Sequence, residues 1–262
     1  MREQILEVLL DIEETNDVKI LYACESGSRA WGFPSKDSDY DVRFLYIHKP
    51  EHYLSIDPVG GGSNRDVIER PINNLLDVSG WDLTKALKLF RKSNPPLMEW
   101  MKSPIVYYQS YSALERMAEI QDSVFTPQSA MYHYLNMASG NYRDYLQGST
   151  VKIKKYFYVL RPVLAAKWIE EKNEFPPMEF QTLLELLPES PLKQEILILL
   201  ARKIKGDELD KEPRIDVINS FLDAEINRLK HAAEQWRTVK KDPTPQLNEL
   251  FRDMLKEVWD KR

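Results

Sequence analysis

Two short apolar runs of strand length most constrain the fold of this chain. The first covers residues 18–24, and the second, residues 40–47, is rich in aromatic and β-branched side chains. Runs of this length and composition are typical of buried strands. Between them lies a polar segment that contains Gly27 and several aspartates. The pattern predicts two strands of one sheet joined by a polar turn.

The rest of the chain divides into a mixed part and a helical part. Helical spacing predicts helices over residues 3–14 and 83–92, and two further strands are predicted at 66–72 and 75–81. The glycine run 60–62 is predicted to be a flexible connector. From Tyr111 onward nearly every segment has helical periodicity, interrupted by prolines. We therefore predict an α+β fold, with a small mixed β-sheet domain over 1–110 and a mainly helical domain over 111–262.

Charge and cysteine usage exclude several classes of protein. The net charge is −5, so the composition does not favour nonspecific nucleic-acid binding, which depends on Lys and Arg. The single cysteine, Cys24, is predicted to be a buried strand thiol, and no intramolecular disulfide is possible. No stretch approaches the ~18 apolar residues of a membrane span, and the first residues lack a signal-peptide core. These features predict a cytoplasmic protein without a membrane partner.

The residues that carry chemistry are Gly27, Ser28, Asp39 and Asp41. Residues two apart on a strand point to the same face, so both carboxylates are predicted to share one side. Crowded carboxylates repel each other unless a cation lies between them, and Mg²⁺ prefers carboxylates together with phosphate oxygens and water. Gly27 allows close approach of the backbone to a ligand, while Ser28 begins a turn whose N–H groups can face phosphate. The pattern predicts a triphosphate site beside a magnesium site.

Other site types fit these residues less well. Residues 37–41 resemble the start of a calcium loop, but Val42 replaces the required glycine and His48 the required glutamate. Gly27 and Gly32 have the spacing of a phosphate loop, but Phe33 follows instead of lysine. Neither motif is complete.

This order of motifs resembles the signature of the DNA polymerase β-like nucleotidyltransferase superfamily, which consists of Gly-Ser, a spacer and then acid-x-acid on a strand. Ten residues separate Ser28 from Asp39, which lies within the spacing of that superfamily. The fuller segments 27–33 and 37–43 resemble a bacterial and phage branch labelled RNA-repair-associated nucleotidyltransferases. Further matches to that branch are Gly80-Trp81-Asp82-Leu83-x-Lys85, Ser93-Asn94-Pro95 and Glu99-Trp100-Met101-x-Ser103. The resemblance covers roughly the first 110 residues and, more loosely, residues 155–161.

This resemblance implies an enzyme that moves a nucleoside monophosphate from a nucleoside triphosphate, such as ATP, to an acceptor hydroxyl and releases pyrophosphate. Two Mg²⁺ ions, or Mn²⁺, would be bridged by Asp39 and Asp41. The third carboxylate of relatives lies on a neighbouring strand, where Asp77 is favoured over Asp82 because Asp82 can cap the following helix. The acceptor stays open among an RNA end, a protein and a small molecule, and the sequence does not indicate the oligomeric state.

The resemblance also implies which residues hold the nucleotide. Gly27, Ser28 and Arg29 are expected around the triphosphate. Relatives usually add a basic residue from the domain after the sheet, which predicts Lys155 or Arg161 for this role. The alternative function is a catalytically silent nucleotide-binding or partner-binding module with the same fold.

Glu25 departs from the wider superfamily, in which many relatives carry an apolar or aromatic residue at this position. A carboxylate directed at a phosphate would repel it. We therefore expect Glu25 to point away from the nucleotide, or to hold Arg29 or Arg43.

Overall fold

The computed structural model describes residues 1–36, 38–56, 65–207, 210–236 and 242–260. The predicted glycine connector at 60–62 and Asp37 of the aspartate-rich turn lie outside the described residues. The chain forms two compact units. The first comprises Met1–Ala30, Asp39–Phe125 and Lys240–Arg262, and the second comprises Trp31–Ser38 and Thr126–Val239.

Helices and strands alternate in the first half of the chain, as predicted. They are α1 (Arg2–Asn16), β1 (Val18–Glu25), α2 (Gly27–Ala30), β2 (Tyr40–His48), α3 (Pro50–Tyr53), β3 (Val67–Asn73), β4 (Leu76–Asp82), α4 (Leu83–Arg91), α5 (Pro95–Met101), β5 (Val106–Gln109) and α6 (Ala113–Val124). The elements after residue 125 are α7 (Pro127–Tyr145), β6 (Thr150–Lys152), α8 (Lys155–Lys172), α9 (Phe180–Leu184), α10 (Pro191–Lys205), β7 (Lys211–Pro213), α11 (Asp216–Gln235) and α12 (Thr244–Trp259). The predicted helices and strands of the first 100 residues are confirmed.

The first unit is built on a five-stranded mixed sheet in the order β3-β4-β2-β1-β5. β2 and β4 run parallel, and the other neighbouring pairs are antiparallel. Buried side chains of β2 and β4, among them Val42, Phe44 and Val78, pack in one apolar core with Ile5 and Ile12 of α1. The predicted small mixed sheet with helices is confirmed, while β5 is an addition that sequence periodicity did not indicate.

The second unit is mainly helical, as predicted. Helices α7, α8 and α11 pack together, and the short strands β6 and β7 form a separate antiparallel pair. Helix α8 is buried over most of its length, which explains why its sequence lacks a polar face despite the charged residues at its start. No helix among the described residues is both long enough and apolar enough to cross a membrane.

The compact units differ from the predicted ranges 1–110 and 111–262 in three places. Helix α6 packs against β1, and α12 packs against α4 and α6, so both helices belong with the sheet. Conversely, Trp31–Ser38 belongs to the helical unit. There the Phe33 ring packs against the rings of Phe157 and Phe180, at centroid distances of 5.0 and 5.5 Å. A boundary drawn from periodicity along the chain does not reveal such packing between distant segments.

Candidate functional site

Asp41 and Asp77 lie directly opposite each other on adjacent parallel strands. Asp41 is the second residue of β2, Asp77 is the second residue of β4, and the register pairs them. Burial alternates strictly along β4, with Leu76 and Val78 in the core and Asp77 on the more open face. Since paired residues of parallel strands project to the same face, both carboxylates lie on this side of the sheet.

Gly27 provides the space that the Asp41 carboxylate occupies. Its φ is +60°, a left-handed backbone conformation that side chains other than glycine rarely adopt. A Cβ added at this position would overlap Oδ2 of Asp41. In addition, the Ser26 N–H donates to the backbone oxygen of Asp41 at 2.8 Å. The turn that begins the predicted nucleotide site is therefore in direct contact with the predicted metal ligand, and Ser28 follows half-buried in α2.

Arg43 connects the two opposite carboxylates. One of its terminal nitrogens, Nη2, lies 3.0 Å from Oδ1 of Asp41 and 2.8 Å from Oδ2 of Asp77. The other, Nη1, donates to the backbone oxygen of Val42 at 3.0 Å. The side chain of Asp41 is 28% exposed to solvent and that of Asp77 is 50% exposed, so both acids remain accessible beside the arginine.

Glu25 is fully buried and supports the backbone of Asp41. Its Oε1 accepts a hydrogen bond of 2.7 Å from the Asp41 N–H, and its Oε2 accepts one from the Tyr107 hydroxyl. Burial raises the pKa of the Glu25 carboxyl, and these two hydrogen bonds oppose the rise. These two hydrogen bonds direct the Glu25 carboxylate toward the pairing of β1 with β2 and β5, and neither of them involves Arg29 or Arg43.

Asp39 and Arg29 lie at the entrance to β2. Asp39 is exposed and precedes the first strand residue, Tyr40, so strand alternation alone does not fix its side chain beside Asp41. The Nε of Arg29 donates to the backbone oxygen of Asp39 at 3.0 Å, and its guanidinium carbon lies 3.7 Å from the centre of the Tyr40 ring. Arg29 thus links the Gly-Ser turn to the start of the Asp-x-Asp strand.

Asp82 is engaged as a helix cap, as the sequence indicated. Its Oδ1 accepts from the Thr84 N–H at 2.8 Å, and its Oδ2 accepts from the Tyr53 hydroxyl at 2.7 Å. It is completely buried, and this burial raises the pKa of its carboxyl. Because Asp82 is paired with Tyr46 at the far end of the parallel register, it lies away from Asp41 along the strands. This position favours Asp77 as the third carboxylate.

The described residues contain no group of three or more histidine, cysteine, aspartate or glutamate side chains placed to hold a metal ion. Asp39, Asp41 and Asp77 therefore form no ready-made three-carboxylate cluster in this arrangement. Two features explain it: Asp39 lies before the strand, and Arg43 occupies the space between the other two acids. Their role as metal ligands stays a prediction.

Lys155 and Arg161 both lie on α8 of the second unit. The Nζ of Lys155 is 4.3 Å from the centre of the Tyr145 ring. Arg161 is only 3% exposed; its guanidinium stacks over Trp31 at 4.7 Å and donates to the backbone oxygen of Met178. These contacts pack Arg161 against the segment around Trp31, and its predicted triphosphate role stays a prediction. The role of Lys155 stays a prediction.

Two functional neighbours of Asp41 were missed by sequence reasoning. Arg43 could have been found, because it lies two residues after Asp41 on the same strand and so shares its face. Tyr107 could not, because its hydrogen bond to Glu25 spans 82 residues of chain and depends on the pairing of β5 with β1.

The chain is similar to several known proteins. Residues 1–253 match the RNA repair pathway DNA polymerase beta family. A protein of Bacillus subtilis, named "Uncharacterized protein YcgL", is 54% identical over 260 residues, which cover 99% of this chain and 98% of that relative. The solved structure of a nucleotidyltransferase-like protein from Exiguobacterium sibiricum is 11% identical in sequence and superposes with a TM-score of 0.33. The match covers 98% of this chain and 80% of that protein's chain.

Proposed function

Because the chain belongs to the RNA repair pathway DNA polymerase beta family, we propose that it is a metal-dependent nucleotidyltransferase. It transfers a nucleoside monophosphate from a nucleoside triphosphate to an acceptor hydroxyl and releases pyrophosphate. The observation that carries the proposal is the placement of Asp41 and Asp77 opposite each other on parallel strands, with the Gly27 turn against the Asp41 carboxylate.

Asp41 and Asp77 are the carboxylates at which a divalent cation would bind in place of Arg43. Asp41 and Asp77 already share one positive charge, that of Arg43, and both keep part of their surface open. Mg²⁺ prefers such carboxylate oxygens together with phosphate oxygens and water. Asp39, Asp41 and Asp77 would hold the metal, with Mn²⁺ as a substitute. Bound there, it would neutralise phosphate charge and lower the pKa of an acceptor hydroxyl.

The side chains and backbone of the chain supply positioning and proton transfer. Gly27, without a Cβ, lets the turn lie against the acids, and Ser28 adds a hydroxyl beside it. In the reaction, the acceptor oxygen forms a bond to the α-phosphorus while the bond from that phosphorus to the oxygen bridging to the β-phosphorus breaks, and pyrophosphate leaves with the electron pair. The acceptor proton passes to a carboxylate oxygen, for which the half-exposed Asp77 is the candidate.

Glu25 is the positioning residue of the site. By accepting the Asp41 N–H, the buried carboxylate fixes the backbone from which the Asp41 side chain projects. Tyr107 in turn orients Glu25, and the Ser103 hydroxyl donates to the Glu25 backbone oxygen at 2.6 Å. A reactive carboxylate needs such support, because small displacements of a catalytic group lower the rate strongly.

The test is pyrophosphate release and mass-detected transfer with each of the four NTPs, Mg²⁺, and RNA ends, proteins and small hydroxyl compounds as acceptors. We expect Asp41→Asn and Asp39→Ala to lower release at least about 100-fold, because loss of an outer-shell partner of a metal alone costs 10–100-fold. Asp144→Asn, a surface change in the second unit, is the matched control and should leave the rate unchanged.

Two outcomes would contradict the proposal. Undiminished release by Asp41→Asn would place the chemistry elsewhere. NTP binding without any pyrophosphate release, across the whole acceptor panel, would identify the chain as a catalytically silent nucleotide-binding module.

A further inference from the structure

Arg43 is the cation that the structure places between the two opposite acids. Its Nη2 contacts both Asp41 and Asp77, at 3.0 and 2.8 Å, while Nη1 contacts the backbone oxygens of Val42 and Asp77 at 3.0 and 3.4 Å. Only 19% of the arginine side chain is exposed. The guanidinium is therefore held from two directions, by side-chain carboxylates and by the backbone of both parallel strands.

The strand register explains this position. Asp41 and Arg43 are two apart on β2 and share a face, and Arg43 is paired with Ser79 of β4, two residues beyond Asp77. The long side chain of Arg43 turns back toward the start of both strands, where Asp41 and Asp77 lie. Without this charge, two carboxylates on one face of adjacent strands would repel each other.

Arg43 contacts Oδ1 of Asp41 and Oδ2 of Asp77. The same carboxylate oxygens are those that a divalent cation would use. We propose that Arg43 is a resident counter-cation, which holds Asp41 and Asp77 facing each other in the metal-free protein and gives up at least one of them when a divalent ion binds. This inference rests on the proposed function, because it takes the two acids as metal ligands.

The effect of removing Arg43 on metal affinity distinguishes this exchange from a role in which Arg43 only supports the two acids. In an exchange, the arginine competes with the metal, so its removal strengthens metal binding while the metal-free protein loses stability. If Arg43 instead stayed on the acids and only oriented them, its removal would weaken metal binding. The sign of the change in affinity therefore decides between the two.

The experiment measures Mn²⁺ binding alone, without nucleotide, by electron paramagnetic resonance and calorimetry on wild type, Arg43→Gln, Arg43→Lys and Arg70→Gln. Arg70→Gln is the matched control, because Arg70 lies on β3 of the same sheet, pairs with Asp11 of α1, and its loss changes the net charge equally. We expect Arg43→Gln to bind Mn²⁺ about tenfold more tightly, which corresponds to about 1.4 kcal/mol. Its metal-free melting temperature should be lower, and Mn²⁺ should raise it more than in wild type.

Arg43→Lys keeps the charge but loses the two-pronged contact, so its affinity should lie between those of wild type and Arg43→Gln. It also serves as the test variant should Arg43→Gln fail to fold. Unchanged or weaker Mn²⁺ binding in the Arg43 variants, or equal tightening in Arg70→Gln, overturns the exchange. Tighter Mn²⁺ binding without pyrophosphate release would support the exchange and contradict the proposed enzyme activity. Absence of Mn²⁺ binding in every variant would contradict both proposals.

Discussion

The contact between Gly27 and Asp41 gives a prediction whose size follows from the structure. In Gly27→Ala, the new residue must keep a φ of +60°, which costs a residue with a Cβ about 1–2 kcal/mol. Its methyl group would also overlap Oδ2 of Asp41, and relieving an overlap of this kind costs about 1–3 kcal/mol. The free energy of unfolding should therefore fall by about 2–5 kcal/mol.

Two other glycines separate the conformational cost from the overlap. Gly32 has a φ of +86° but no atom within 4 Å of an added Cβ, so Gly32→Ala should cost only the first term, about 1–2 kcal/mol. Gly140 lies inside helix α7 and is also open, so Gly140→Ala should raise stability by about 0.5–1 kcal/mol. The excess cost of Gly27→Ala over Gly32→Ala reports the displacement of Asp41.

The assay is urea denaturation followed by circular dichroism, combined with a Mn²⁺ titration of each folded variant. A shifted Asp41 carboxylate should weaken Mn²⁺ binding in Gly27→Ala and leave it unchanged in Gly140→Ala. Equal losses of stability in Gly27→Ala and Gly32→Ala, together with unchanged Mn²⁺ affinity, would refute the reasoning, because the Asp41 carboxylate would then not lie against the turn.

Three further predictions concern buried groups. Burial raises the pKa of the Glu25 carboxyl above the value of about 4.5 that it has in the unfolded chain. Between the unfolded and the folded pKa, the native state therefore binds more protons than the unfolded state, and the free energy of unfolding of the wild type falls as the pH rises through this range. The stability difference between wild type and Glu25→Gln should therefore move in favour of the variant from about pH 4 to about pH 8, and a constant difference in urea melts would contradict this. Burial raises the pKa of the Cys24 thiol to about 12, so a thiol reagent should react at pH 8 only after unfolding; rapid labelling of the native protein would disprove it. Arg161→Gln should lower the free energy of unfolding by about 2–3 kcal/mol, since it removes charged hydrogen bonds in a buried site, whereas lost NTP affinity at full stability would support its predicted phosphate role.

The local part of this structure was predictable, because strand and helix periodicity are properties of neighbouring residues. The strands that carry Asp41 and Asp77 were both predicted, and the parallel register then sets the two acids opposite each other. The four-residue strand β5 gives too short a pattern to recognise. The hydrogen bond from Tyr107 to Glu25 was missed for the same reason, since Tyr107 lies on that strand.

The interleaving of the two units has a consequence for how the protein is made. The chain passes between the units at 30/31, 38/39, 125/126 and 239/240, so no single cut separates them. During synthesis, the segment around Phe33 cannot pack until Phe157 and Phe180 have been translated, and α4 cannot pack against α12 until α12 has been translated. The two halves of the Gly-Ser and Asp-x-Asp signature therefore leave the ribosome before the aromatic residues that pack against Phe33, which lies between them.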